Sequence, residues 1–344
     1  MFQRILVPLD GSTRAERAIP VAARIARASR GSVILVRVVS TIIEFWPYMA
    51  PQPALTQMAN DTALTGAEQY LSAVSKTIVD DIPTETVALF GPPAPTILAA
   101  AHSHQADLIV LCSHGYTGMT RWVLGSVAEK VARHSTVPVL ILREGGAVPA
   151  GPHPDATRPL RALVPLDGSV HAKTALEPAA SLIAALAAPA PGALHLVRVV
   201  KPLTAEYEAK NFKERVESEQ FLHRAKSYLS TTVEHLHERL IAPAIADLNL
   251  TITWSVAVDT DVAEALIRLA ENGEDAEGAG VFGGCDVIAM ATHGYSGVQR
   301  WAMGGITERV LGATKLPLLI VRPPDMMDQS KIDWDLTTLA TIQG

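Results

Sequence analysis

Cysteine is scarce in this chain. Two residues, Cys112 and Cys285, in 344 cannot build a disulfide framework, and the reducing cytoplasm is the expected compartment. Long apolar runs are missing too. Nothing approaches the roughly 18 uninterrupted apolar residues of a membrane span. The early run Ile5–Leu9 is too short for an export signal, and Asp10 ends it. Positive charge is also in short supply: 29 Lys and Arg against 35 Asp and Glu give a net charge of −6, with no basic cluster. A nucleic-acid groove needs such a footprint to displace counterions, so nucleic acid and membrane are both excluded as expected partners. No Gly-Lys-Ser/Thr P-loop occurs, and no cluster pairs a nucleophile with a base. What is present is apolar mass. At 48% hydrophobic and 19% charged, the chain can fill a core in each of two domains.

The sequence repeats itself. Ile5-Leu6-Val7-Pro8-Leu9-Asp10-Gly11-Ser12 comes back as Ala162-Leu163-Val164-Pro165-Leu166-Asp167-Gly168-Ser169. Val36-Arg37-Val38-Val39 comes back as Val197-Arg198-Val199-Val200. Ser113-His114-Gly115-Tyr116-Thr117-Gly118 matches Thr292-His293-Gly294-Tyr295-Ser296-Gly297, and Arg121-Trp122 matches Arg300-Trp301. Val137-Pro138-Val139-Leu140 pairs with Leu316-Pro317-Leu318-Leu319. A unit this long is a whole domain, not a solenoid repeat. The reading is domain 1 over residues 1–145, a Gly- and Pro-rich linker over 146–157, domain 2 over 158–323 and a tail over 324–344. The second copy carries insertions, chiefly the acidic, Gly-rich stretch Glu271 to Gly284.

Short apolar runs alternate with helical patterns inside each copy. Ile5–Leu9, Val33–Val39, Thr86–Phe90, Leu108–Cys112 and Val137–Leu142 are predicted strands, nearly all apolar, as buried parallel strands are. Ala18, Ala22, Ile25 and Ser29 share one helical face, as do Ala175, Ala179, Leu182 and Leu186. The pattern predicts α/β architecture: two tandem Rossmann-like domains, each a doubly wound five-stranded parallel sheet. Ligands of such sheets bind beyond the carboxyl ends of the strands, where strand order reverses.

Three features fall at those ends. Asp10-Gly11-Ser12 follows the first strand, Val38-Val39 closes the second, and Ser113-His114-Gly115 follows the fourth. Nine residues after Gly115 come Gly125-Ser126 and a helical stretch. A helix starting there offers unpaired amides and a positive dipole end to an anion. Ser126-Val127-Ala128-Glu129 also reads as a capping box, which needs no ligand. Asp10 has two readings as well, a ligand acceptor or a turn former bonded to the Ser12 backbone. His114 and His293 lie in the same loops, where bonding to their own backbone is the simpler role. The pairs His102/His104 and His235/His237 do not face one another on a helix, which argues against metal.

With these residues in view, the chain resembles a tandem member of the universal stress protein family, over both halves. That family carries an early strand ending Pro-x-Asp-x-Ser, here Pro8, Asp10 and Ser12. It also carries a signature of Gly, two residues, Gly, nine residues, Gly, then Ser or Thr. The resemblance implies a fold of the adenine nucleotide alpha hydrolase type and ATP as ligand. It implies that Asp10 and the backbone around Val38 hold adenine, while Gly115, Gly125, Ser126 and Val127 hold ribose and phosphates. Asp167, Val199, Gly294, Gly304 and Gly305 are the second-copy equivalents. Two departures stand out. The first glycine is Cys112 in one copy and Ala291 in the other, so a side chain stands where backbone should approach phosphate. The hydroxyl position is Ser126 in the first copy and Gly305 in the second.

The resemblance therefore implies a stress-response protein, not an enzyme, that binds adenine nucleotide in at least the first domain and acts through conformation or protein partners. A nucleotide-independent scaffold of the same fold is the alternative. A slow ATPase is the third reading; no carboxylate lies inside the phosphate loop to hold Mg²⁺. The two domains should pair within the chain as a pseudo-dimer, with a homodimer of chains left open.

Overall fold

The computed structural model describes residues 1–40, 53–78, 81–113, 124–143, 146, 158–202, 212–273, 277–279, 283–293 and 303–324. The first half runs β1 (Arg4–Leu9), α1 (Thr13–Glu16), α2 (Ala18–Ser29), β2 (Ser32–Val39), α3 (Pro53–Ser75), β3 (Thr84–Phe90), α4 (Pro93–Ser103), β4 (Leu108–Cys112), α5 (Ser126–His134) and β5 (Val139–Leu142). The second half runs β6 (Arg161–Pro165), α6 (Val170–Lys173), α7 (Leu176–Ala187), β7 (Gly192–Val200), α8 (Phe212–His237), a 3-10 turn (Pro243–Asp247) and β8 (Leu250–Val258). It continues with α9 (Val262–Asn272), β9 (Glu277–Ala279), β10 (Val287–Ala291), α10 (Gly305–Ala313) and β11 (Leu318–Val321). The predicted strands are all present, β4 as expected and the others with starts displaced by one or two residues.

All strands join one sheet, in the order β3-β2-β1-β4-β5-β11-β10-β6-β7-β8-β9. Every neighbouring pair is parallel except β5–β11 and β8–β9. Within each half the chain steps outward from β1 or β6, then returns on the other side, so order reverses between β1 and β4 and between β6 and β10. Those two crevices are where a doubly wound sheet places its ligands. The second half departs from the expected five parallel strands. Its acidic insertion forms β9, a sixth, antiparallel edge strand that pairs Trp254 with Ala279 and Val256 with Glu277. A three-residue strand rich in Gly carries no apolar run, so periodicity could not announce it.

Helices cover both faces, and each face has one core running through both halves. On one side Ile5, Val7, Ile25 and Leu71 belong to the same packed layer as Val164, Leu182 and Leu229. On the other, Leu6, Ile97 and Val131 belong to a layer with Leu163, Leu266 and Val310. The predicted helical faces are buried: Ala18, Ala22 and Ile25 on α2, and Ala179, Leu182 and Leu186 on α7. The halves meet where β5 and β11 pair, Leu140 opposite Leu319, which gives the expected intrachain pseudo-dimer. Arginines cross the same boundary. Arg143 donates to the Leu311 carbonyl at the end of α10, Arg24 to the Leu186 carbonyl at 2.8 Å, and Arg133 to Glu308 at 2.7 Å. Except for Gly146 and Pro324, the expected linker and tail lie outside the described residues.

Candidate functional site

Asp10 directly follows β1 and is exposed. Its Oδ1 accepts from the Ser12 amide at 2.9 Å and from the Ser12 hydroxyl at 2.6 Å. Ser12 Oγ in turn accepts from the Ala15 amide and caps α1. Gly11 between them has φ +88, a conformation that a side chain would strain. The second half repeats the device: Asp167 Oδ1 accepts from the Ser169 amide at 2.9 Å, Ser169 caps α6, and Gly168 has φ +97. The turn-forming role of the aspartate is thus present in both copies. Pro8 and Pro165 are half-buried in the strands just before.

The far side of each crevice is formed by the end of β4 or β10 and the start of α5 or α10. The Gly125 amide donates to the Ser113 carbonyl at 2.8 Å, and the Gly304 amide to the Thr292 carbonyl at 2.8 Å. Each bond closes the base of the intervening loop. A Cβ at Gly304 would stand 3.0 Å from the Thr292 carbonyl oxygen, so this pin explains the glycine. Residues 114–123 and 294–302 are outside the described residues, and with them Gly115, Gly294, His114, Arg121, Trp122, Arg300 and Trp301.

The capping box expected at Ser126 does not form. Gly125 is the N-cap of α5, with no side-chain bond, and Ser126 is the first helical residue, exposed. A capping hydroxyl must sit one position earlier, outside the helix, to reach back to its amides. Among the described residues nothing caps the amides of Ser126, Val127 and Ala128. The start of α10 is likewise bare, with Gly304 as N-cap and Gly305 following. By contrast α1, α6 and α9 are capped by Ser12, Ser169 and Asp261. Val127 and Ile306, at matching places in these first turns, are 36% and 43% exposed. Val38 and Val199 lie at the ends of β2 and β7, packed on the α4–α5 and α9–α10 layer. The Cys112 sulfur lies 3.9 Å from the Ala15 carbonyl oxygen, in the α1–α2 layer. It therefore stands on the sheet face opposite α5, and not over the first amides of that helix, as the sequence had suggested. His293 is buried, with Nδ1 3.0 Å from the neighbouring Thr292 hydroxyl.

An arginine–tyrosine stack recurs at these strand ends in both halves. Arg37 stacks 4.6 Å over the Tyr70 ring and lies against Gly11, and Arg198 stacks 5.1 Å over the Tyr228 ring beside Gly168. The signal was in plain view: an arginine inside an apolar strand, kept in both copies of Val-Arg-Val-Val.

The family model described as Universal stress protein family matches residues 1–143. Universal stress protein YxiE of Bacillus subtilis is 30% identical over 148 residues, which are 42% of this chain and 100% of that one. A universal stress protein of Thermus aquaticus is 32% identical over 144 residues, again 42% of this chain and 100% of its own. The chain belongs to the universal stress protein family. The first half alone accounts for the family match, and the second half of this stress protein joins it through the repeated motifs and the repeated strand order. Solved structures extend the fold over both halves. A universal stress protein from Archaeoglobus fulgidus aligns with TM-score 0.58 at 19% identity, over 94% of this chain and 97% of that one. A functionally unknown protein from Pseudomonas aeruginosa PAO1 aligns with TM-score 0.55 at 16% identity, over 99% and 98%. Among the described residues no helix is long and apolar enough to cross a membrane.

Proposed function

We propose that this universal stress protein binds an adenine nucleotide, ATP or AMP, in at least its first half and acts through conformation or protein partners. The observation that carries the reading is the start of α5 at a strand-order reversal, whose first three amides are uncapped among the described residues, beside the Gly125–Ser113 backbone bond. A dipole end with free donors is suited to phosphate. Asp10, Val38, Gly115, Gly125, Ser126 and Val127 are the residues assigned to the nucleotide, Asp10 combining that role with its turn. Pro8 sets the strand end before it. In the second half Asp167, Val199, Gly294, Gly304 and Gly305 offer the same frame without the hydroxyl, so binding there is weaker. Binding, and not turnover, is the activity, and the compartment is the cytoplasm.

The scaffold reading is favoured by one observation, the loss of the signature hydroxyl at Gly305 in the second copy. Protein purified without added ligand, then denatured and examined by mass spectrometry, separates the two. Release of ATP or AMP supports the nucleotide reading. No nucleotide, together with no ATP-induced rise in melting temperature, leaves the scaffold.

A further inference from the structure

The Arg–Tyr stack occurs in both halves, but only one copy is completed by the chain. In the first half the Tyr70 hydroxyl donates to Glu16 Oε1 at 2.8 Å, with the Arg37 guanidinium 4.6 Å from the ring centre. Glu16, the last residue of α1, thus supplies a carboxylate to a phenol and a guanidinium held side by side. The same place at the end of α6 is Lys173. Its ammonium lies 5.1 Å from the Tyr228 ring centre, as does the Arg198 guanidinium. Among the described residues the Tyr228 hydroxyl is buried with no hydrogen-bond partner of good geometry, the Thr232 side chain being the polar group beside it. Thr232, one turn on, spends its own hydroxyl on the Tyr228 carbonyl at 2.7 Å. Buried phenol hydroxyls are rarely left in that condition. The second copy therefore has two cations and an unused donor where the first has an internal carboxylate.

We infer that Lys173, Arg198 and Tyr228 form a binding site for a small oxyanion, a carboxylate or phosphate group, in the position that Glu16 fills in the first half. The pairing is chemically complete: the phenol O–H and guanidinium N–H groups donate, and the ammonium turns from the ring to make a charge-assisted contact. The site lies on the α6–α8 side of the sheet, whereas Val199 faces the α9–α10 side. It thus borders the nucleotide crevice, with Arg198 lying against Gly168, but is built on the opposite face of the sheet from Val199. Nearby Asp167, which accepts from the Ser169 amide, sets one negative charge against the two cations and leaves the local balance positive.

The test uses the full chain with ¹³C-labelled tyrosine, titrated separately with inorganic phosphate and with propionate at fixed ionic strength. There are six tyrosines, so Tyr228→Phe and Tyr70→Phe assign the two signals. The Tyr228 signal should move saturably while the Tyr70 signal stays still. Response to propionate alone marks a carboxylate ligand, and response to phosphate marks a phosphate-bearing one. Lys173→Glu, which recreates the first-half arrangement, should weaken the response at least about tenfold. Glu16→Lys should make Tyr70 responsive. Should either variant fail to fold, protection of the parent from thermal unfolding by phosphate or propionate should disappear in Tyr228→Phe. A Tyr228 signal indifferent to both anions, equal movement of both tyrosines, or an undiminished response in Lys173→Glu would overturn the inference.

Discussion

His195 lies in the middle of β7, fully buried, with Nδ1 2.8 Å from the Thr253 hydroxyl and Nε2 2.7 Å from the Ser255 hydroxyl. Burial, reinforced by the nearby Arg161 charge, pushes its pKa from 6.5 down to about 3. The unfolded chain takes up this proton below pH 6.5 and the folded chain does not, so stability is full above that value and is lost as pH falls toward 3. The expected slope from this one group is about 1.4 kcal/mol per pH unit. Urea unfolding at pH 7, 6 and 5 should show it, and His195→Gln should remove that part of the slope; equal slopes in both proteins would refute the assignment. Asp10 poses a different question, because it was legible in the sequence as either ligand or turn former. Two bonds to Ser12 show the turn, so Asp10→Ala should cost roughly 0.5–1.5 kcal/mol without nucleotide. A variant with an unchanged melt would mean the turn is held without it. His195 could not be read in advance, since its partners Thr253 and Ser255 are 58 and 60 residues away, and only strand register brings them together.

Helix starts decide the chemistry at the next scale. The sequence predicted a helix from Ser126 and left its cap open, because the pattern Ser-x-x-Glu does not say whether the serine stands before the helix or in it. Gly125 takes the outer place since its amide is tied to Ser113. The same logic separates two adjacent glycines in α10. Among the described residues nothing lies within 4 Å of a Cβ added at Gly305, whereas one at Gly304 meets the Thr292 carbonyl at 3.0 Å. Gly305→Ser should therefore leave the melting temperature unchanged or raise it, with at most about 1 kcal/mol gained from helix propensity. It should also strengthen nucleotide binding in the second half. Calorimetric titration of the variant with ATP checks this, and an unchanged isotherm would remove the hydroxyl from the account. Strands were read more easily than helix ends. β4, β5, β10 and β11 are unbroken apolar runs that are almost wholly buried, whereas β3, β8 and β9 lack that signature.

At the scale of the molecule, pairing of the two halves was expected from the repeat, but its means were not legible. Antiparallel contact of β5 with β11 depends on which strand each half leaves at its inner edge, and the repeat does not state that. The consequence is energetic. Two core layers and one sheet pass through the boundary, so neither half can unfold without exposing β5 or β11 and stranding Arg143, whose guanidinium is buried against α10. Scanning calorimetry of the full chain should give one cooperative transition, with the calorimetric enthalpy equal to the van't Hoff enthalpy. Two resolved transitions would mean the halves are independent. It also follows that nucleotide binding must be measured on the whole chain and not on separated halves. The most direct test is calorimetric titration with ATP of the full-length protein beside Ser126→Asp. Aspartate in the first turn suits the helix dipole but repels phosphate. The parent should bind about one equivalent tightly, at the bare start of α5, and Ser126→Asp should lose that binding with its melting temperature intact. Equal ATP isotherms for the two proteins would contradict the account.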